Sequence, residues 1–123
     1  EKVETRKRVS DGLGGKLDKL LETCESGFER SVLLKMIDAG VPLPDEGQYI
    51  VYDGDRRVAK PDFFYRNRNI AVFVDGPAHE KDYVKKDDEE KRRELRELGY
   101  RVFTISHKDV SDGIYRLKRS MSG

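Results

Sequence analysis

The chain has 123 residues, 40% of them charged and 36% apolar, with 25 Lys and Arg against 24 Asp and Glu for a formal charge of +1. That length supports one domain with a modest core, and the near-neutral balance gives no global attraction to nucleic acid, so any basic patch must come from local segregation. One cysteine and two histidines exclude an intrachain disulfide framework and a zinc-finger cage; no apolar run approaches the roughly 20 residues of a membrane span, so no membrane partner and a reducing, cytoplasmic setting are expected.

Residues 1–9 are dominated by charge, and "SDGLGG" at 10–15 reads as a hinge. Residues 1–15 are therefore read as a tail or linker and 16–123 as the domain. The start at Glu1 without a methionine, and the close on Ser-Met-Ser-Gly, read as a domain excised from a larger protein. "KLDKLLETC" predicts a short helix. "SGFERSVLLKMIDAG" predicts a stronger one, with Ser26 as N-cap and Phe28, Val32, Leu33, Met36 and Ile37 on one apolar face. Gly40 is its stop. Ser26 and Glu29 also have the spacing of a capping box.

Three strands are predicted at 48–53, 59–65 and 69–75, joined by the short connections "GDRRV" and "RNRN". A charged helix follows from about 81 to 98, ended by Gly99. A fourth strand is expected at 100–106 and a last helix at 112–121, capped by Ser111. This order is an α/β sandwich around a mixed sheet, with the fourth strand reached by a helical crossover.

Two aspartates sit where buried strands would take hydrophobes. Asp62 lies between Pro61 and Phe63, and Asp75 closes the run Ile70–Val74. With Asn67-Arg68 as the central turn residues, Phe63 faces Val72, Asp62 faces Phe73, and Asp75 falls on the same face as Asp62. Diagonal neighbours of this kind lie roughly 7–8 Å apart, a span that one or two hydrated divalent ions can bridge. The same register sets Lys60 opposite Asp75. On the charged helix, an inward stripe at 84, 88, 91, 95 and 98 turns Asp88 and Lys91 toward the sheet; the rest of "KKDDEEKRRE" is a solvated face. Carboxylates converging at a sheet end beside a basic group suit Mg²⁺ or Mn²⁺, which activates water and neutralises phosphoryl charge. Arg56-Arg57 and Arg66…Arg68 are turn charges that would become phosphate contacts if they flank the site. Tyr49, Tyr52, Phe63 and Phe64 read as packing rather than as stacking platforms.

"PDFFY…IAVFVDG" resembles the PD-(D/E)xK nuclease superfamily, with Pro61-Asp62 at a bent second strand and Asp75 ending the third. "VDGPAH…DDEEKRRELRELGYRV" looks like the short variants in very-short-patch repair endonucleases and in nuclease domains attached to helicases. Their Asp-Gly-x-x-His and Asp-x-x-Lys/Arg-x-x-x-Leu-x-x-x-Gly patterns fall on Asp75, Gly76, His79, Asp88, Lys91, Leu95 and Gly99. The resemblance covers about residues 26 to 106. It implies a restriction-endonuclease-like αβββαβ core and metal-dependent cleavage of DNA in repair, restriction or helicase-coupled processing. Asp62, Asp75 and, through the opening helix, Glu29 would be the metal ligands. The family's lysine position holds Pro77 here, and His79, Lys60 or Lys91 would stand in. So small a domain implies a fused or partner helicase or targeting module, or a homodimer. "DGPAH" with "LRELGYRVFTI" also looks like the RAP domain, which implies a non-catalytic nucleic-acid-binding module; a degenerate nuclease fold lies between the two.

Overall fold

The computed structural model describes residues 15–77 and 82–122, with side chains in the second segment from residue 86 onward. Among the described residues four helices run α1 (Gly15–Thr23), α2 (Gly27–Asp38), α3 (Asp82–Glu97) and α4 (Val110–Met121). Six strands are β1 (Glu46–Gly47), β2 (Val51–Asp53), β3 (Arg56–Ala59), β4 (Phe63–Tyr65), β5 (Ile70–Asp75) and β6 (Arg101–Ser106). The protein is thus α/β with a mixed sheet flanked by helices. The sheet order is β1-β4-β5-β6, with a separate two-stranded ribbon β2-β3.

Alternation along the strands sorts the core. Phe63, Tyr65, Ile70, Val72, Val74 and Ile105 pack beneath Val32, Leu33 and Met36 of α2 and Ile114 and Leu117 of α4. The other face carries Phe64 and Ala71, covered by Leu95 of α3 and by Val51, Val58 and Ala59 of the ribbon. Burying each large side chain completely, as Phe63, Leu33 and Leu95 are buried, contributes about 2–3 kcal/mol. The strand β5 is covered on both faces because its parallel partner β6 is reached through α3, which packs back on the sheet.

The hairpin register agrees with the expectation: Phe63 pairs with Val72 and Tyr65 with Ile70. The three-strand meander does not form as expected. Gln48, at φ +52, turns the chain out of line after β1, so 48–53 divides between an edge strand of the main sheet and the ribbon. Pro61 has no N–H to give, and 59–65 divides in the same way between β3 and β4. Lys60 therefore leaves the sheet and does not face Asp75. The ribbon turns at Gly54, whose φ of +65 suits a two-residue hairpin loop. A bulge follows: Val51 pairs with Ala59 but Tyr52 pairs with Arg57, leaving Val58 as the extra residue. Val58 and Ala59 are consequently both buried, and Arg56 and Arg57 both exposed.

Helix ends follow their capping chemistry. The Ser26 side chain accepts from the Glu29 N–H, opening α2. The last helix starts earlier than expected because Asp109, not Ser111, is the N-cap, accepting from the Asp112 N–H. Helix α3 stops where Gly99 takes φ +102, a conformation that glycine reaches without strain.

Candidate functional site

A cleft of about 660 Å³ opens at the end of the sheet, between the N-terminus of α2, the ribbon and α3. Its lining includes Glu29, Asp62 and Asp75, with Arg57, Lys60 and Lys91 also bordering it. Five of the six expected site residues therefore line one space. The sixth, His79, lies outside the described residues, as do the structural expectations for the tail before residue 15 and for the Val84 side chain.

The cleft contains two carboxylate groupings built differently. In the first, Asp62 follows Pro61 at the mouth of β4, and its Oδ2 accepts from the Val74 N–H at 2.7 Å, stitching the bend to β5. Glu29 reaches it from the first turn of α2. The capping box is completed only in part, because Glu29 Oε1 accepts from the Glu25 N–H at 3.1 Å, leaving Oε2 turned to the cleft. The Gln48 side-chain amide lies between the two acids, donating to Glu29 Oε2 at 2.8 Å and to Asp62 Oδ1 at 3.2 Å. Its backbone N–H donates to the Asp62 carbonyl at 2.9 Å, so the left-handed turn at Gln48 delivers both ends of the residue to one place.

No basic side chain hydrogen-bonds this pair among the described residues. Burial, followed by the Asp62 charge and a hydrogen bond to it, pushes the Glu29 carboxyl from 4.5 up to about 7. Asp62 is also raised, chiefly by burial, with the Asp75 charge adding to it against the hydrogen bonds from Val74, Glu29 and Gln48. Both carboxyls are therefore held toward their protonated forms, each raising the affinity of the pair for a proton.

The second grouping is built on a cation, Arg92, which also lies 3.7 Å from Asp88 Oδ2. Arg92 grips Asp75 with two parallel bonds, Nη2 to Oδ1 at 2.7 Å and Nη1 to Oδ2 at 3.0 Å. Nη1 also donates to Thr104 Oγ1 at 3.1 Å, and the guanidinium lies 4.5 Å from the centre of the Phe73 ring. Arg92 is 8% exposed. The helical stripe facing the sheet runs through 92 and 95, not 91 and 95. Lys91 is exposed, pairing with Asp87 at 3.0 Å, and Lys60 pairs with Glu25 at 3.1 Å. Both lysines line the cleft, but neither reaches the aspartates by an ion pair.

Arg92 and Gln48 are the residues that sequence reasoning missed. A signal existed for Arg92, since 88, 92 and 95 share a helix face as well as 88, 91 and 95 do. None existed for Gln48, whose importance comes from a backbone turn that glutamine rarely makes.

As they stand, no three His, Cys, Asp or Glu side chains among the described residues converge as a ligand set. Glu29 and Asp62 fit a hard divalent cation in kind. They are oxygen donors whose carboxyls burial raises toward protonation, a cost that a cation can relieve, and Mg²⁺ commonly takes one or two carboxylates and keeps its waters. Asp75 fits only if Arg92 lets go of it. Among the described residues no helix is long and apolar enough to cross a membrane. In comparisons with protein-family models, with curated proteins and with solved structures, nothing matches this chain.

Proposed function

We propose that the chain is a divalent-metal-dependent DNA endonuclease domain with a restriction-endonuclease-like core, acting inside the cell beside a fused or partner targeting module or as a homodimer. The observation that carries this reading is the Glu29–Asp62 pair, one carboxylate buried and one half-buried, with no basic hydrogen-bond partner among the described residues, in a cleft bordered by Arg57, Lys60 and Lys91. Two acids so placed favour a cation, and the surrounding bases favour a phosphodiester. The resemblance of "PDFFY" and "IAVFVDG" to PD-(D/E)xK nucleases supports the same assignment.

Glu29 and Asp62 would hold Mg²⁺ or Mn²⁺, with Gln48 bonded to both carboxylates. Such an ion would supply an activated water and neutralise phosphoryl charge. Lys60 and Lys91 exchange their exposed carboxylate partners for phosphate oxygens, and His79 belongs to the same assignment as the group assisting the water. Asp75 and Arg92 wall the cleft as a fixed pair, with Asp75 joining the ligand set if the guanidinium turns away.

That fixed pair favours a second reading. A nuclease ligand already gripped by arginine suits a non-catalytic nucleic-acid-binding module of the same architecture, RAP-like or a degenerate nuclease. Cleavage of single- and double-stranded DNA with Mg²⁺ or Mn²⁺ separates the readings, using wild type beside Asp62→Ala and Asp75→Ala. Metal-dependent cuts lost in Asp62→Ala support the nuclease. Nucleic acid bound without cleavage, and indifferent to metal and to Asp62→Ala, sinks it and supports the module.

A further inference from the structure

The floor of the cleft is acidic and repels a polyanion, so affinity must come from its rim. Of the three basic residues there, Lys60 is paired with Glu25 and Lys91 with Asp87. Arg57 forms no ion pair with any described residue and is exposed at the cleft. Its cross-strand partner on the ribbon is Tyr52, which shares its face because directly paired residues point the same way. Tyr52 is 55% exposed, and its hydroxyl bonds no described group. The other exposed tyrosine among the described side chains, Tyr115, is engaged by Arg119, which donates to its hydroxyl at 3.0 Å.

The strand beneath this pair is anchored to the core and to α3. The bulge at Val58 drives both Val58 and Ala59 into the core against Leu95, and Arg56 is ion-paired with Glu94 of α3. Arg57 borders the acidic cleft, and Tyr52, its partner across the ribbon, sets an exposed aromatic ring on the same face beside it.

We propose that Tyr52 and Arg57 are the docking point for a single-stranded nucleic-acid segment, Tyr52 stacking on an unpaired base and Arg57 holding the adjoining phosphate. This rests on the proposed function and specifies its substrate. A duplex hides its base faces, whereas a single strand, an overhang or a frayed end offers them, and base–aromatic stacking is indifferent to sequence. The arrangement therefore selects strandedness rather than a recognition sequence.

The test is fluorescence-anisotropy binding of labelled oligonucleotides of about 15 nucleotides, as DNA single strand, RNA single strand and DNA duplex, in Ca²⁺. Wild type is compared with Tyr52→Ala, Tyr52→Phe and Arg57→Ala, each checked for unchanged thermal unfolding, and cleavage in Mg²⁺ is measured in parallel. The expected result is single-strand affinity lowered on the order of tenfold in Tyr52→Ala and retained in Tyr52→Phe. Arg57→Ala should make the dependence of log affinity on log salt shallower by roughly 0.7. Whichever of the DNA or RNA strands binds more tightly names the source of the shared chemistry. Tyr52→Ala binding within about twofold of wild type, or a duplex bound more tightly than the single strand, overturns the proposal; if wild type still cleaves, the nuclease reading survives that result. Tyr52-dependent binding without cleavage does the reverse, keeping the docking point and removing the nuclease. Binding of no nucleic acid removes both and leaves the Tyr52 face to a protein partner.

Discussion

Asp62 and Asp75 stand in neighbouring strands of one cleft, yet their surroundings are opposites. Asp75 meets Arg92 in a two-bond grip reinforced by Thr104 and Phe73, and its charge is cancelled where it stands. Asp62 meets Glu29, and among the described residues the side chain that bonds both is the neutral amide of Gln48. One carboxylate has its counter-charge in place; the other has a neutral amide and an amide N–H, and burial raises it toward protonation. A site's chemistry is read better from which charges lack compensation than from how many acids line it.

Breaking the compensated side should have the largest effect. Arg92→Met leaves Asp75 without its counter-charge beneath α3 and should destabilise the protein by about 3 kcal/mol. Urea unfolding measures this, and a loss below about 1 kcal/mol would show that Asp75 does not depend on the pair.

The uncompensated side should announce itself through pH. Because Glu29 titrates near 7 when folded and near 4.5 otherwise, the folded state binds the extra proton between those values. Stability is therefore fully present below about 4.5 and falls as pH rises toward 7, by on the order of 1–3 kcal/mol. Glu29→Gln should flatten that slope. Mg²⁺ affinity should run the other way, weakening as pH drops below about 7, because proton and cation compete. Unfolding curves at several pH values, with and without Mg²⁺, check both signs.

A smaller effect separates backbone from side chain at Gln48. Both Gln48→Ala and Gln48→Gly remove the amide that spans Glu29 and Asp62, but only alanine inherits the strain of φ +52. Alanine should cost about 1–2 kcal/mol, and glycine should recover about 1 kcal/mol of it. Equal stabilities would mean that the turn carries no strain.

What was legible in the sequence follows the same division. The β4–β5 register was open to inspection because a four-residue turn and strict alternation leave one pairing that buries Phe63, Val72 and Ile70 together. That placed Asp62 and Asp75 at one sheet end, and helical spacing put Glu29 at the start of α2. The breaks at Gln48 and Pro61 were not legible as such, since alternation continues through them on paper while the chain changes sheets. Arg92 was hidden because a guanidinium on a helix finds its carboxylate on a strand only through the packing of Leu95. Tyr52 was read as packing because its strand was placed in the main sheet; on the ribbon, the same residue faces solvent.

The connection between β5 and β6 has a kinetic consequence. The hairpin that brings Asp62 to the Val74 N–H closes over a short turn. The parallel pairing of β5 with β6 waits for the whole crossover, α3 included, to fold back. Loop-closure entropy makes the first step early and the second late. In pulse-labelled hydrogen exchange, amide protection at Val74 should therefore appear before protection along β6, and simultaneous protection would count against this order. On this order Asp62 is fixed against β5 while the sheet still lacks one strand, and the arginine that quiets the neighbouring aspartate arrives with the last layer of the fold.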